Sequence, residues 1–244
     1  RVFDWSLESL NILHRNDSYP ARGLDLDPLL VSWWTRLSWP KLESLSLSRL
    51  FTYSSDFAGD FKPRFPSLRS LCIYGEYSSG RHSFSLDTTA AKDTLFNCVE
   101  RIALRDFDSK CPMLGAIAKN FSEKIRAMRL GVSNDALGIE LMLGCALKEL
   151  DLYHFLNRKV SYFSSLRLIE TLIGTSKATQ LQSLGLFNQV FVRAFLAQNN
   201  HCKFTGLREL RLKIDKSFKD KLERLADIEL QHLSLDIANC DEII

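Results

Sequence analysis

No two of the six cysteines, Cys72, Cys98, Cys111, Cys145, Cys202 and Cys240, stand at CxxC spacing. Scattered thiols in a chain of this length are neither a disulfide framework nor a zinc knuckle. Small oxidised domains concentrate their cysteines, and structural zinc needs paired ligands. These cysteines read as reduced and buried, which points to the cytoplasm or the nucleus. No apolar run approaches the roughly 18 residues that a membrane-spanning helix needs. The chain opens at Arg1 with no charged-then-apolar leader and reads as a piece of something longer. Two sequons, Asn16-Asp17-Ser18 and Asn120-Phe121-Ser122, carry little weight, because the triplet is common by chance.

The signatures of catalysis are missing too. There is no GxxxxGK or GxGxxG phosphate loop, no HExxH, no GxSxG elbow and no Cys/His cluster at metal spacing. His14, His82, His154, His201 and His232 stand apart. The one adjacent pair, His201-Cys202, reads as incidental. The expectation is therefore a protein that is not an enzyme, with no catalytic residue, metal or cofactor. The formal charge of +3 is too small to argue for nucleic acid or a membrane surface.

What the sequence does have is a repeat. One six-residue pattern, with apolar residues at its first, fourth and sixth positions, recurs nine times. The copies are Leu7-Leu10-Ile12, Leu42-Leu45-Leu47, Leu68-Leu71-Ile73, Val99-Ile102-Leu104 and Ile125-Met128-Leu130, then Leu147-Leu150-Leu152, Leu181-Leu184-Leu186, Leu207-Leu210-Leu212 and Leu230-Leu233-Leu235. The steps between first positions are 35, 26, 31, 26, 22, 34, 26 and 23 residues. The last four residues of each copy alternate as a strand does, and a strand this short buries its apolar face only by stacking on its neighbours.

The clearest copies are Leu-Glu-Ser-Leu-Ser-Leu at 42–47, Leu-Lys-Glu-Leu-Asp-Leu at 147–152, Leu-Gln-Ser-Leu-Gly-Leu at 181–186 and Leu-Arg-Glu-Leu-Arg-Leu at 207–212. With them the sequence resembles the leucine-rich-repeat family from about Leu7 to Leu235. The resemblance implies an α/β solenoid of about nine repeats in a single domain, with a curved parallel sheet on the concave side and helices on the convex side. The family's Asn or Cys two or three residues after the last leucine is mostly absent. Leu104 is followed by Arg105-Asp106-Phe107 and Leu130 by Gly131-Val132-Ser133, so the turn off these strands needs another support. Such uneven repeats are most similar to those of F-box proteins. That likeness implies substrate recognition in a ubiquitin-ligase complex, with an F-box upstream recruiting Skp1 and a cullin. A scaffold, or the ligand-sensing end of an innate-immunity type of receptor, is the alternative.

Between the copies, apolar stripes at helical spacing predict outer helices at Asp135–Cys145, Ser161–Gly174, Val190–Gln198 and Ser217–Ala226. A further stripe, Leu29-Leu30, Trp33-Trp34 and Leu37, precedes the Trp39-Pro40 break. Tyr74 to Thr89, rich in Ser, Gly and charge, reads as a surface loop.

The variable positions beside the second and third leucines point away from the core, and in solenoids that face is the usual binding surface. Its small N-terminal members, such as Ser44 and Ser46, give way to Arg101, Arg105 and Arg129, then to Glu149, Asp151 and Tyr153, then Phe187 and Arg211. These eight are the candidate partner-binding residues. The arginines suit an acidic or phosphorylated segment of a protein partner, because guanidinium forks match carboxylate and phosphate. Tyr153 and Phe187 are aromatic anchors of the type that dominates interfaces. The plainer expectation is that the arginines pair with Glu149, Asp151 and nearby acids, and exposed pairs of that kind contribute only about 0–1 kcal/mol.

Overall fold

A computed structural model describes residues 8–12, 39–48, 65–74, 99–108, 114, 117–118, 121–132, 144–154, 162–174, 179–199 and 203–237. The stripe at 29–37, the segment 75–98, most of the helix expected at Asp135–Cys145 and the His201-Cys202 pair lie outside these residues. The chain divides into two compact units, Arg1–Arg105 and Asp106–Ile244.

Each copy of the repeat forms a strand. The first unit holds β1 (Ser9–Ile12), β2 (Ser44–Ser48), β3 (Ser70–Tyr74) and most of β4 (Arg101–Asp108), which ends in the second unit. All three pairings are parallel and keep the repeats in step: Leu45 faces Leu71, and Leu71 faces Ile102. Leu45, Leu71, Ile73, Ile102 and Leu104 are buried, while Ser70, Cys72 and Tyr74 between them are half-buried. A period of two therefore sorts leucines to one side of the sheet and variable residues to the other.

The turns into these strands carry a feature that the six-residue pattern does not contain. Three residues ahead of the first leucine stands a buried aromatic, Trp39 before Leu42 and Phe65 before Leu68. Each is followed by proline, and the leucine N–H donates back to the aromatic carbonyl, at 3.2 Å from Leu42 and 3.1 Å from Leu68. Proline suits the second position of such a turn because its φ is already set. Trp39 and Phe65 stack with ring centroids 5.7 Å apart, and the Ser67 hydroxyl donates to the Pro40 carbonyl at 2.6 Å.

The second unit holds β5 (Ile125–Val132), β6 (Glu149–His154), β7 (Ser183–Leu186), β8 (Glu209–Ile214) and β9 (His232–Ile237), again paired in parallel and in sequence order. Phe204 repeats the aromatic turn, with Leu207 N–H donating to its carbonyl at 3.1 Å. Leu210, Leu212 and Ile214 are buried on β8, whereas their register partners Leu233, Leu235 and Ile237 on β9 are exposed.

Two α-helices fall where periodicity predicts them. Helix α1 (Tyr162–Gly174) buries Leu168, Ile169, Leu172 and Ile173. Phe163, an apolar residue within the predicted helix, is 80% exposed. It lies about 200° around the helix from buried Ser165, at 100° per residue, and the stripe runs through Leu168 instead. Helix α2 (Gln189–Leu196) starts at Asn188, whose side chain accepts from Val190 N–H at 2.7 Å. Here an Asn two residues past the last leucine of a copy is present, and its role is the N-cap.

The helix expected at Ser217–Ala226 is a 3-10 helix, Lys216–Asp227. Leu222, Leu225 and Ile228 recur at intervals of three, which matches three residues per turn rather than 3.6. The Ile228 N–H accordingly donates to the Leu225 carbonyl at 3.0 Å. Positions 114, 117, 118 and 121 are helical as well. Leu114, Ile117, Ala118 and Phe121 there are buried at helical spacing, in a stretch where the sequence reading placed no helix.

Candidate protein-binding face

The side of the sheet opposite the leucines carries the polar and aromatic side chains. In the first unit its end is basic. Arg101 is exposed and Arg105 half-buried, four residues apart on the same side of β4 with Ala103 between them. Register sets Arg101 beside Ser70 and Arg105 beside Tyr74. The Cys72 thiol lies among the side chains of Tyr74, Arg105 and Ser46. Burial pushes its pKa up, against the hydrogen bond from Tyr74 and the charge of Arg105, which act the other way.

In the second unit the face is built around one buried charge. Asp151 is only 4% exposed although it occupies an outward position on β6. Its partner is not Arg129, which register places directly beside it, but Arg211, two strands away on β8. Arg211 Nη2 donates to Asp151 Oδ1 at 2.9 Å and to Ser183 Oγ at 3.1 Å. Ser183 Oγ in turn donates to Glu209 Oε2 at 2.9 Å. The residue between Asp151 and Arg211 in the register is Gly185. A Cβ there would sit 2.3 Å from Asp151 Oδ1 and 2.6 Å from the Phe187 ring, so only glycine leaves the gap that the pair crosses.

With Asp151 turned away, Arg129 takes other partners. Its Nε stands 3.3 Å from Asp106 Oδ1, with about half of the arginine side chain exposed. Asp106 holds a φ of 57°. This left-handed conformation bends the end of β4, and aspartate tolerates it better than most residues. Asp106 thus supplies part of the support that this strand end lacks in sequence. The Arg129 guanidinium lies 5.4 Å from the Tyr153 ring centre and 6.0 Å from that of Phe187, within range of a cation–π contact with each. The Phe187 N–H donates to the Leu152 carbonyl at 2.8 Å, which carries the β6–β7 ladder one residue further and keeps the two rings side by side.

No family model matches the sequence, and no curated protein matches it either.

The chemistry of the face follows from its own residues. Arg129, Tyr153 and Phe187 form one partly exposed cluster of a cation flanked by two rings. Glu149 is exposed on β6, one outward position before Asp151 and beside Ala127 and Ser183 in the register, while Asp151 and Arg211 pair as an internal brace. Among the described residues no group of three or more His, Cys, Asp and Glu side chains could hold a metal, and no helix is long and apolar enough to cross a membrane. Within its own copy of the repeat Asp151 is an ordinary outward acid, and nothing local marks its burial. Gly185, between two leucines in the 181–186 copy, was the available sign that something crosses that strand.

Proposed function

We propose that the chain is a leucine-rich-repeat solenoid of about nine repeats, curved with its helices on the convex side, and that its concave strand face holds a protein partner. The observation that carries this reading is the Arg129–Tyr153–Phe187 cluster. A half-exposed guanidinium seated against two rings is held in place before any partner arrives, so it loses little rotamer freedom on binding. It offers a fork for a carboxylate or phosphate beside apolar area for an aromatic or aliphatic anchor. The partner is an acidic or phosphorylated protein segment. Arg101 and Arg105 offer the same chemistry on their own unit, and Glu149 adds a carboxylate for a basic residue of the partner.

The irregular repeat lengths favour the F-box type of leucine-rich-repeat protein. In that setting these repeats recognise the substrate of a ubiquitin ligase, and an F-box elsewhere in the protein engages Skp1 and a cullin. The compartment is the cytoplasm or nucleus, in keeping with Cys72 and Cys145 carrying thiols rather than disulfides.

The test is affinity purification of the tagged full-length protein from its own cells, with and without the double substitution Arg129→Glu, Phe187→Ala. Skp1 and a cullin in both eluates, with other proteins lost from the variant, is the expected result. Partners that depend on Arg129 and Phe187 but come without Skp1 leave a scaffold or sensor. An identical set of partners in both eluates removes the face from consideration.

A further inference from the structure

A second candidate site lies in the second unit, away from the strand face, on the side where the chain turns into the strands. The residue after the first leucine of each copy stands there. These residues form a backbone ladder of their own: Lys148 N–H donates to the Arg126 carbonyl at 2.8 Å, Gln182 to Lys148 at 2.8 Å, Arg208 to Gln182 at 2.9 Å and Gln231 to Arg208 at 2.8 Å. With strands about 4.8 Å apart, these four steps set a row of five side chains nearly 20 Å long. An open depression of about 610 Å³ runs along this row.

Its lining is polar and one-sided in charge. Arg126, Lys148 and Arg208 face it, against the single carboxylate of Glu229. Arg126 is fixed there by a hydrogen bond from its Nη1 to the Ala146 carbonyl at 3.1 Å. Lys148 and Arg208 are exposed and make no ion pair with another described residue. The positive charge is not a property of the repeat, because the same ladder position in the first unit reads Glu8, Glu43, Arg69 and Glu100. The floor is pressed flat at Gly206, where a Cβ would come within 2.3 Å of the Thr179 carbonyl.

We propose that this depression binds an acidic peptide segment in extended conformation, with one anionic side chain between Arg126 and Lys148 and another at Arg208. Three glutamines, Gln180, Gln182 and Gln231, share the lining. Their amides donate and accept at once, as the backbone of an extended peptide requires. A nucleic-acid backbone offers acceptors only, and the lining has no aromatic ring on which a base could stack. This separates the site from the strand face, whose anchors are Tyr153 and Phe187, so a protein using both surfaces would contact two segments of one partner or two partners.

The experiment uses the full 244-residue chain and fluorescence anisotropy with three labelled probes: an oligoglutamate peptide, an oligolysine peptide and single-stranded oligothymidine. Oligoglutamate is expected to bind, with affinity falling as salt rises, and the double substitution Lys148→Glu, Arg208→Glu to weaken it by roughly tenfold or more, since two attractions become repulsions. Arg167→Glu, at an exposed position on α1 that belongs to neither site, is expected to leave it within about twofold, the usual result for distant independent sites. Both positions are exposed, and an unchanged melting temperature shows that the fold is intact. Absence of oligoglutamate binding, binding that the double substitution leaves unchanged, or tighter binding of oligothymidine each overturns the proposal. Loss with Arg129→Glu but not with the double substitution assigns the acidic peptide to the strand face instead.

Discussion

Asp151 and Arg211 meet at 2.9 Å although a whole strand lies between them, because the residue they cross is Gly185. The contact joins β6 to β8 over β7 and locks three consecutive repeats to one another. Charges in such a setting give little net stability when both are present, since desolvation offsets their attraction, but removing one partner strands the other.

Substituting Arg211→Met is therefore expected to destabilise the second unit by about 2 kcal/mol, discounted from the fully buried case because the arginine is partly exposed. Replacing both residues together, Asp151→Leu with Arg211→Met, is expected to recover most of that loss. A double-mutant cycle by urea unfolding measures the coupling, and simple additivity of the two single changes would refute the brace.

Gly185→Ala places a methyl group against Asp151 Oδ1 and the Phe187 ring. Overpacking of this kind costs about 1–3 kcal/mol. It is also expected to displace Phe187 and so weaken partner binding, which a substitution acting on stability alone would not do at low temperature. Binding measured well below the unfolding transition separates the two effects.

The stack of Trp39 on Phe65 is the counterpart in the first unit. Phe65→Ala is expected to cost about 3–5 kcal/mol, as for other buried aromatics, whereas Pro66→Ala relaxes only the turn and is expected to cost about 1 kcal/mol or less by freeing the unfolded chain. Thermal unfolding of both variants checks the order. Equal losses would mean that the ring contributes little beyond the turn.

Because burial raises the Cys72 thiol above its usual range, less thiolate is present near neutral pH than for an exposed cysteine. Alkylation of Cys72 by iodoacetamide, followed by mass spectrometry, is expected to run slower than that of a cysteine-containing peptide and to keep gaining with pH after the peptide's rate has levelled. A rate equal to the peptide's at neutral pH would contradict the burial of this thiol.

The nine strands among the described residues were legible in the sequence because each motif copy is a local signal: the leucines at 45 and 47, or at 184 and 186, alternate whatever happens elsewhere. Helices α1 and α2 were legible for the same reason. The helical positions 114, 117, 118 and 121 were not expected, because their stripe of Leu114, Ile117, Ala118 and Phe121 includes a small residue that weakens the apolar signal. The outward positions were read correctly as to side but not as to depth. Whether Asp151 is a surface acid or a buried brace depends on Gly185 and Arg211, 34 and 60 positions later by residue number, and no periodicity reports a contact between side chains so far apart. Arg129 was placed on the right face with the wrong neighbours for the same reason. The basic row of Arg126, Lys148 and Arg208 went unremarked because it occupies the second position of the motif, which a search for leucines passes over.

The turn that joins Trp39 to Leu42, Phe65 to Leu68 and Phe204 to Leu207 behaves as a ruler for the chain. The steps that end in these three turns are 35, 26 and 26 residues, yet the interval from the aromatic to the leucine stays at three in each. Growth and shrinkage of the repeats must therefore be absorbed after the strand and before the aromatic. There a longer connection is cheap, about 0.6 kcal/mol for each doubling of a flexible loop. A single residue inserted between Phe65 and Leu68 is another matter. It would shift β3 by one position against its turn and send Leu71 and Ile73 to the side now held by Cys72 and Tyr74. Tolerance to insertion along this sequence should consequently be punctuated, with wide permissive stretches broken by windows of a few residues in which no change of length survives.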